Sequence, residues 1–180
     1  MSVPGSYPNG IFPVVRVVGG AADLYYSESV GQSGAEWTDP VAVALDVDPY
    51  CFGLAHVGAR YLAVYSRSMV PYVKITENPD DWTTGVTEVP LSDLGGPARG
   101  IVRGASTDGF GNVAVLILDL QTHPYTQISY WHSYAWVTRN QGETWELRAD
   151  FLTSVEETIV ASGNHTFTIA GLGFISEVSL

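Results

Sequence analysis

The chain has 180 residues, of which 46% are hydrophobic and only 15% charged, with 19 Gly and 10 Pro; that composition fits a folded, loop-rich domain and excludes a disordered chain, which needs low hydrophobicity and high charge. Eight Lys and Arg against nineteen Asp and Glu leave a net charge of −11, so no basic stripe is available to track a phosphate backbone and nucleic acid is not an expected partner. Cys51 is the single cysteine, which excludes an intrachain disulfide and a cysteine metal cluster, and no run reaches the ~18–20 apolar residues of a membrane-spanning helix.

Residues 1–13 are rich in Pro, Gly and Ser and read as an N-terminal arm. They show neither the charged nor the apolar stretch of a secretory signal, so the expectation is a protein made in the cytoplasm, with no membrane partner. Residues 14–180 read as one β domain. Strand-like runs cover 14–18 and 22–29, split by Gly19-Gly20, then 51–58 and 61–68, joined at Ala59-Arg60. Further runs cover 72–76, 86–91, 100–106, 112–120, 126–138, 157–162, 165–172 and 174–180. Asp108-Gly109-Phe110-Gly111-Asn112 and Gly163-Asn164 are hairpin signals between such runs. No segment sustains a 3.6-residue apolar period; Asp150–Val160 comes nearest, with room for one helical turn. Short strands at this spacing predict a sandwich, a barrel or a propeller.

Three units end in Trp after a polar turn: "AWVTRNQGETW" at Trp145, "VKITENPDDW" at Trp82 and "YYSESVGQSGAEW" at Trp37. Asn140 suits an Asx-turn, Gly142 permits the positive φ of a tight reversal, and Trp145 can bury its ring beside the sheet. The octet Thr138–Trp145, "TRNQGETW", resembles the Asp-box of the BNR repeat family, Ser/Thr-x-Asp/Asn-x-Gly-x-Thr-Trp, through Thr138, Asn140, Gly142, Thr144 and Trp145. "TENPDDW" is similar to a degenerate copy that keeps Thr76, Asn78 and Trp82, and "VGQSGAEW" keeps Gly34 and Trp37. The resemblance implies that each box is the turn between the third and fourth strands of a β-propeller blade. The expected fold is therefore all-β, a small or partial propeller-like arrangement of short antiparallel sheets with three to four blade-like units. It either closes by joining the two ends of the chain into a four-bladed ring, is completed by a partner subunit, or stays open.

The same resemblance brings sialidases to mind, and the residues depart from them. An arginine cluster, a Tyr–Glu pair and an acid Asp are needed there, together with an Arg-Ile-Pro opening; "FPVVR" places Arg16 beyond Pro13 and no Arg-Ile-Pro occurs. Hydrolysis by a carboxylate pair finds little support. Asp80-Asp81 and Glu156-Glu157 are adjacent, and neighbours on a strand face opposite ways. Asp46 and Asp48 can share a face and could hold Ca²⁺, but a solvated loop before Pro49 is the preferred account of them. His56, His123, His132 and His165 are scattered, so no metal site is expected. Cys51 suits a small buried hydrophobe. Asn164-His165-Thr166 fits a glycosylation acceptor, without an export signal beside it.

The remaining feature is the aromatic strand. Alternation places Ile128, Tyr130, His132, Tyr134 and Trp136 on one face and Tyr125, Gln127, Ser129, Trp131 and Ser133 on the other. One face must pack the core. The other either is a platform for sugar rings or a protein partner, or is buried between neighbouring sheets. The expected function is a non-enzymatic structural or binding module without a cofactor, self-associating or docked on a scaffold. Short acidic chains of this kind resemble accessory proteins of tailed-bacteriophage particles, which implies association with a virion tail, baseplate or capsid surface. A carbohydrate-binding module using the Tyr and Trp surface is the alternative, and a sialidase-type hydrolase a more distant one.

Overall fold

The computed structural model of the protein describes residues 12–18, 21–27, 41–48, 52–108, 110–152, 157–163, 166–171 and 174–179. The described chain is all-β. The first sheet contains β1 (Phe12–Val18), β2 (Ala21–Ser27) and β3 (Val41–Val47). The second contains β4 (Phe52–Val57), β5 (Arg60–Arg67), β6 (Val70–Thr76) and β7 (Thr87–Pro90). A 3₁₀ turn, η1 (Leu91–Leu94), leads to the third, made of β8 (Ile101–Thr107), β9 (Val113–Thr122), β10 (Ser129–Thr138) and β11 (Glu146–Leu152). The fourth contains β12 (Glu157–Gly163), β13 (Thr166–Gly171) and β14 (Phe174–Ser179). Within each sheet the strands follow chain order and pair antiparallel.

The sheets stack in sequence, each gap filled by one apolar cluster. Val43, Ala44 and Val47 of β3 meet Phe52, Leu54, Ala63 and Tyr65 of the second sheet. Alternation then sends the next residues of the same strands the other way: Ala55, Val57, Leu62, Val64 and Val73 pack against Val102, Ala105, Val113, Val115 and Ile117 of the third sheet. Ala114, Leu116, Ala135 and Val137 point away again, onto Phe167, Ile169 and Val178 of the fourth. Strands buried on both faces read as near-continuous apolar runs, which is why "YLAVY" and "NVAVLIL" carry no polar alternation. The first strands of successive sheets also lie together, β4 against β8 and β8 against β12. Gly53 is what lets β4 approach β8: a Cβ there would stand 2.4 Å from the Ala105 backbone nitrogen.

The hairpins follow turn chemistry, with changes from the expected boundaries. Gly58 (φ 60) and Ala59 form the two-residue turn between β4 and β5, with Val57 opposite Arg60, so the turn lies one residue earlier than Ala59-Arg60. The β5–β6 turn uses Ser68 (φ 53) and Met69 (φ 61), two left-handed residues without glycine. Both of their amides donate to the Asp48 carboxylate, at 3.0 and 2.9 Å. Asp108 Oδ1 accepts from the Phe110 and Asn112 amides and so organises the β8–β9 turn as an Asx-turn. Gly163 pairs with Thr166, and the connecting residues 164 and 165 lie outside the described ones.

Two strands are additional to the sequence reading, β3 and β11, and both enter sheets as the last strand in chain order. The helical turn over Asp150–Val160 is corrected in part: 150–152 belong to β11 and 157–160 to β12, while 153–156 lie outside the described residues. β1 starts at Phe12, inside the stretch read as an arm. No helix among the described residues is long and apolar enough to cross a membrane.

Candidate functional site

The two described Trp-closed turns occupy the same place in two sheets. Thr76–Trp82 opens the connection from β6 to β7, and Thr138–Trp145 joins β10 to β11, each between the third and fourth strands. In the second of these, the buried Thr138 hydroxyl accepts from the Asn140 and Gly142 amides and donates to Asn140 Oδ1. Asn140 Oδ1 also accepts from the Thr144 amide at 3.0 Å, and Asn140 Nδ2 donates to Thr144 Oγ1 at 2.9 Å. Gln141 (φ 58) and Gly142 (φ 95) make the reversal. The shorter copy shares part of this scheme: the Asn78 amide donates to Thr76 Oγ1, and the Asp81 amide to the Asn78 carbonyl, as the Glu143 amide does to the Asn140 carbonyl, whereas Asn78 Oδ1 accepts from the Asp80 amide and the Thr76 hydroxyl donates to the Asn78 and Asp81 carbonyls.

The indoles are equivalent too. Trp82 enters the cluster between its sheet and the preceding one, and so does Trp145. They differ in their N–H groups. Trp82 Nε1 donates to the Pro79 carbonyl at 2.9 Å, whereas Trp145 Nε1 is buried without a hydrogen-bond partner among the described residues. The Trp145 amide reaches instead to the Leu94 carbonyl at 2.8 Å, tying the turn to η1. Gly34 and Trp37 lie outside the described residues. Asp81 follows with its own cap: hydrogen bonds from the Thr83 hydroxyl and from the Thr83 and Thr84 amides hold its carboxyl well below the usual carboxylate range.

The aromatic strand resolves between the two expected outcomes. Ser133, Ala135 and Val137 are the buried face of β10, two of them packed toward the fourth sheet. Tyr130, His132, Tyr134 and Trp136 form the other face, all partly exposed. Trp136 packs against the cluster between the second and third sheets, and its Nε1 has no hydrogen-bond partner among the described residues. Further along, the rings form a ladder beyond that cluster. Tyr130 and His132 have centroids 6.1 Å apart, His132 and Tyr134 4.8 Å, and the Tyr134 hydroxyl lies 3.3 Å from His132 Nδ1. The cross-strand neighbours are mixed: Asp119 and Leu152 stand opposite His132, Ile117 and Asp150 opposite Tyr134, and Gln121 opposite Tyr130. Gln121 Nε2 donates to Asp119 Oδ2 at 2.6 Å, and Arg99 pairs with Asp119 at 3.5 Å. Burial, and then the Asp119 and Asp150 carboxylates, push the Tyr134 phenol up. Trp131 lies on the opposite face and is half-exposed. The hairpin tip carries Tyr125, 91% exposed, and Ile128, 64% exposed.

A third feature had no signal in the sequence. The two Trp-closed turns and the β4–β5 hairpin enclose a cleft of about 500 Å³ between the second and third sheets. Arg60 crosses it, with Nη1 3.0 Å from Glu143 on one turn and Nε 3.8 Å from Glu77 on the other. These residues are far apart in the chain, and only the stacking of sheets unites them.

The other candidates disperse. Asp48 is engaged by the Ser68 and Met69 amides, and no group of three or more His, Cys, Asp or Glu suited to a metal ion occurs among the described residues. His56 stacks on Tyr61 at 4.3 Å. Arg60, Arg67 and Arg99 pair with separate carboxylates, and Arg139 and Arg148 share Glu146. Arg67 also lies over the Tyr65 and Tyr72 rings, at 5.5 and 5.3 Å. The Arg16 side chain, Cys51, Glu156, Asn164 and His165 lie outside the described residues. No protein-family model matches this chain, and no curated protein matches it.

Proposed function

We propose that this protein is a non-enzymatic structural and binding module of a larger assembly, docking on protein partners through the Tyr130–His132–Tyr134 face of the β9–β10 hairpin, first of all on further copies of itself. The ladder of half-exposed rings is the observation that carries this reading. Tyr and Trp are favoured at interfaces because they bring large contact area at low entropy cost and keep a polar tip for hydrogen bonding. Here Tyr130 and Tyr134 flank His132 on one face at two-residue spacing, and the hairpin tip beyond them exposes Tyr125 and Ile128. In the same reading the four sheets are blade-like units of a partial propeller of the Asp-box kind. Its support is the recurrence of the Trp-closed turn between third and fourth strands and the side-by-side first strands β4, β8 and β12. The described sheets are open rather than closed on themselves, and open sheet edges favour assembly with a partner. A virion tail, baseplate or capsid surface is the setting that fits.

The second reading is a glycan-binding module on the same rings, favoured by the Asp119 and Gln121 side chains beside them. Solution mass separates the two. Light scattering during gel filtration is expected to give a defined oligomer that Tyr130→Ala with His132→Ala shifts toward monomer. A monomer at every concentration, with Trp emission quenched by glycans, selects the glycan reading instead.

A further inference from the structure

We propose that the cleft between the two Trp-closed turns binds a neutral polyhydroxylated ligand of mono- to disaccharide size, at a site separate from the ring ladder. Its volume of about 500 Å³ is in the range of small-molecule sites, and its walls come from two sheets that hold it open. The floor is apolar, from Ile75 and Leu94, which suits the C–H face of a sugar ring. The walls are polar, with Glu77 and Glu143 facing each other across Arg60 and with Thr84 and Thr87 at the mouth.

The charge pattern selects the ligand. An anion would meet two carboxylates for one guanidinium. A cation would have to displace Arg60, which already sits between those carboxylates. A neutral polyol meets neither penalty. Its hydroxyls donate to the carboxylates and accept from the guanidinium, and both planar groups present paired hydrogen-bonding positions that match adjacent hydroxyls. Capacity remains for this. Glu77 and Glu143 side chains are 75% and 60% exposed, and the 3.8 Å separation of Arg60 Nε from Glu77 is too long for a hydrogen bond.

Two-dimensional amide NMR with glucose, galactose, mannose, N-acetylglucosamine, maltose and lactose tests the proposal. At least one sugar should shift the amides of Glu77, Gly85, Gly142 and Glu143 saturably. Glu143→Gln and Glu77→Gln, both exposed and outside the core, should each weaken that binding by about ten-fold through loss of a charge-assisted bond. Tyr130→Ala should bind as wild type does. Overturning results are an absence of saturable shifts across the panel, shifts confined to the ring ladder, or affinity that falls with Tyr130→Ala but not with the Glu variants. None of these outcomes depends on the oligomeric state, so this site and the assembly reading stand or fall separately.

Discussion

Thr138 shows how much one side chain can organise. Its hydroxyl is fully buried and serves the Gly142 amide, the Asn140 amide and Asn140 Oδ1 at once. Thr138→Val keeps the shape and removes all three bonds, leaving the buried Gly142 amide unpaired. Denaturant unfolding should show a loss of about 1–3 kcal/mol. Gly142→Ala should cost at least as much: φ is 95°, and a Cβ would stand 2.8 Å from Leu62 Cδ2 and 2.9 Å from Ile75 Cδ1. The need for Gly142 is legible in "TRNQGETW", since turn chemistry asks for Gly at a positive φ. The crowding around it is not, because it comes from another sheet. Ser68 and Met69 are the converse case. Nothing in "SRSMVPY" announces two left-handed residues, and the compensation comes from Asp48, twenty positions away. Asp48→Ala should therefore destabilise the protein by about 1–3 kcal/mol, read by the same unfolding curve.

At the level of elements, sheet-to-sheet approach decides stability. Gly53→Ala forces a Cβ to 2.4 Å from the Ala105 backbone, which side-chain rotation cannot relieve. The melting temperature should fall by more than for any exposed substitution, because β4 and β8 must separate along their length. Trp145→Ala should cost about 3–5 kcal/mol through the cavity left between sheets, and Trp82→Ala a similar amount. Acid should act at the first interface. Burial alone would raise the Glu88 carboxyl, but the Tyr65 hydroxyl, Lys74 and Arg67 outweigh it and bring it below its ordinary 4.5. The Tyr65 hydroxyl itself has no hydrogen-bond partner among the described residues, so its influence on Glu88 is that of a nearby dipole. A depressed carboxyl stabilises the fold fully above its unfolded value. That contribution disappears as pH falls below about 4.5 and through the lower folded value. Glu88→Gln should flatten the dependence of melting temperature on pH in that window. Strands buried on both faces were legible as apolar runs. β11, "ELRADFL", was not, because an edge strand with exposed Glu146, Leu147 and Arg148 resembles a loop. β3 follows a stretch whose only marker is Trp37, and its apolar residues become meaningful only once the second sheet receives them.

For the whole molecule, charge and surface pull in opposite directions. A net charge of −11 resists association of like copies, while the half-exposed ladder and hairpin tip favour it. Added salt screens the repulsion over ~8–10 Å and leaves apolar contact intact. Association should thus strengthen as ionic strength rises, measured by sedimentation equilibrium. The ring face was legible as a pattern of alternate aromatics; which part of it is buried was not, since that depends on where the second sheet ends. The most direct test is amide hydrogen exchange, followed by mass spectrometry, over a range of protein concentrations. Exchange should slow at high concentration across Gln121–Tyr134 and change little elsewhere in the third sheet. Exchange in that segment that stays the same at every concentration, or protection that appears on another face, would contradict docking through the ring face.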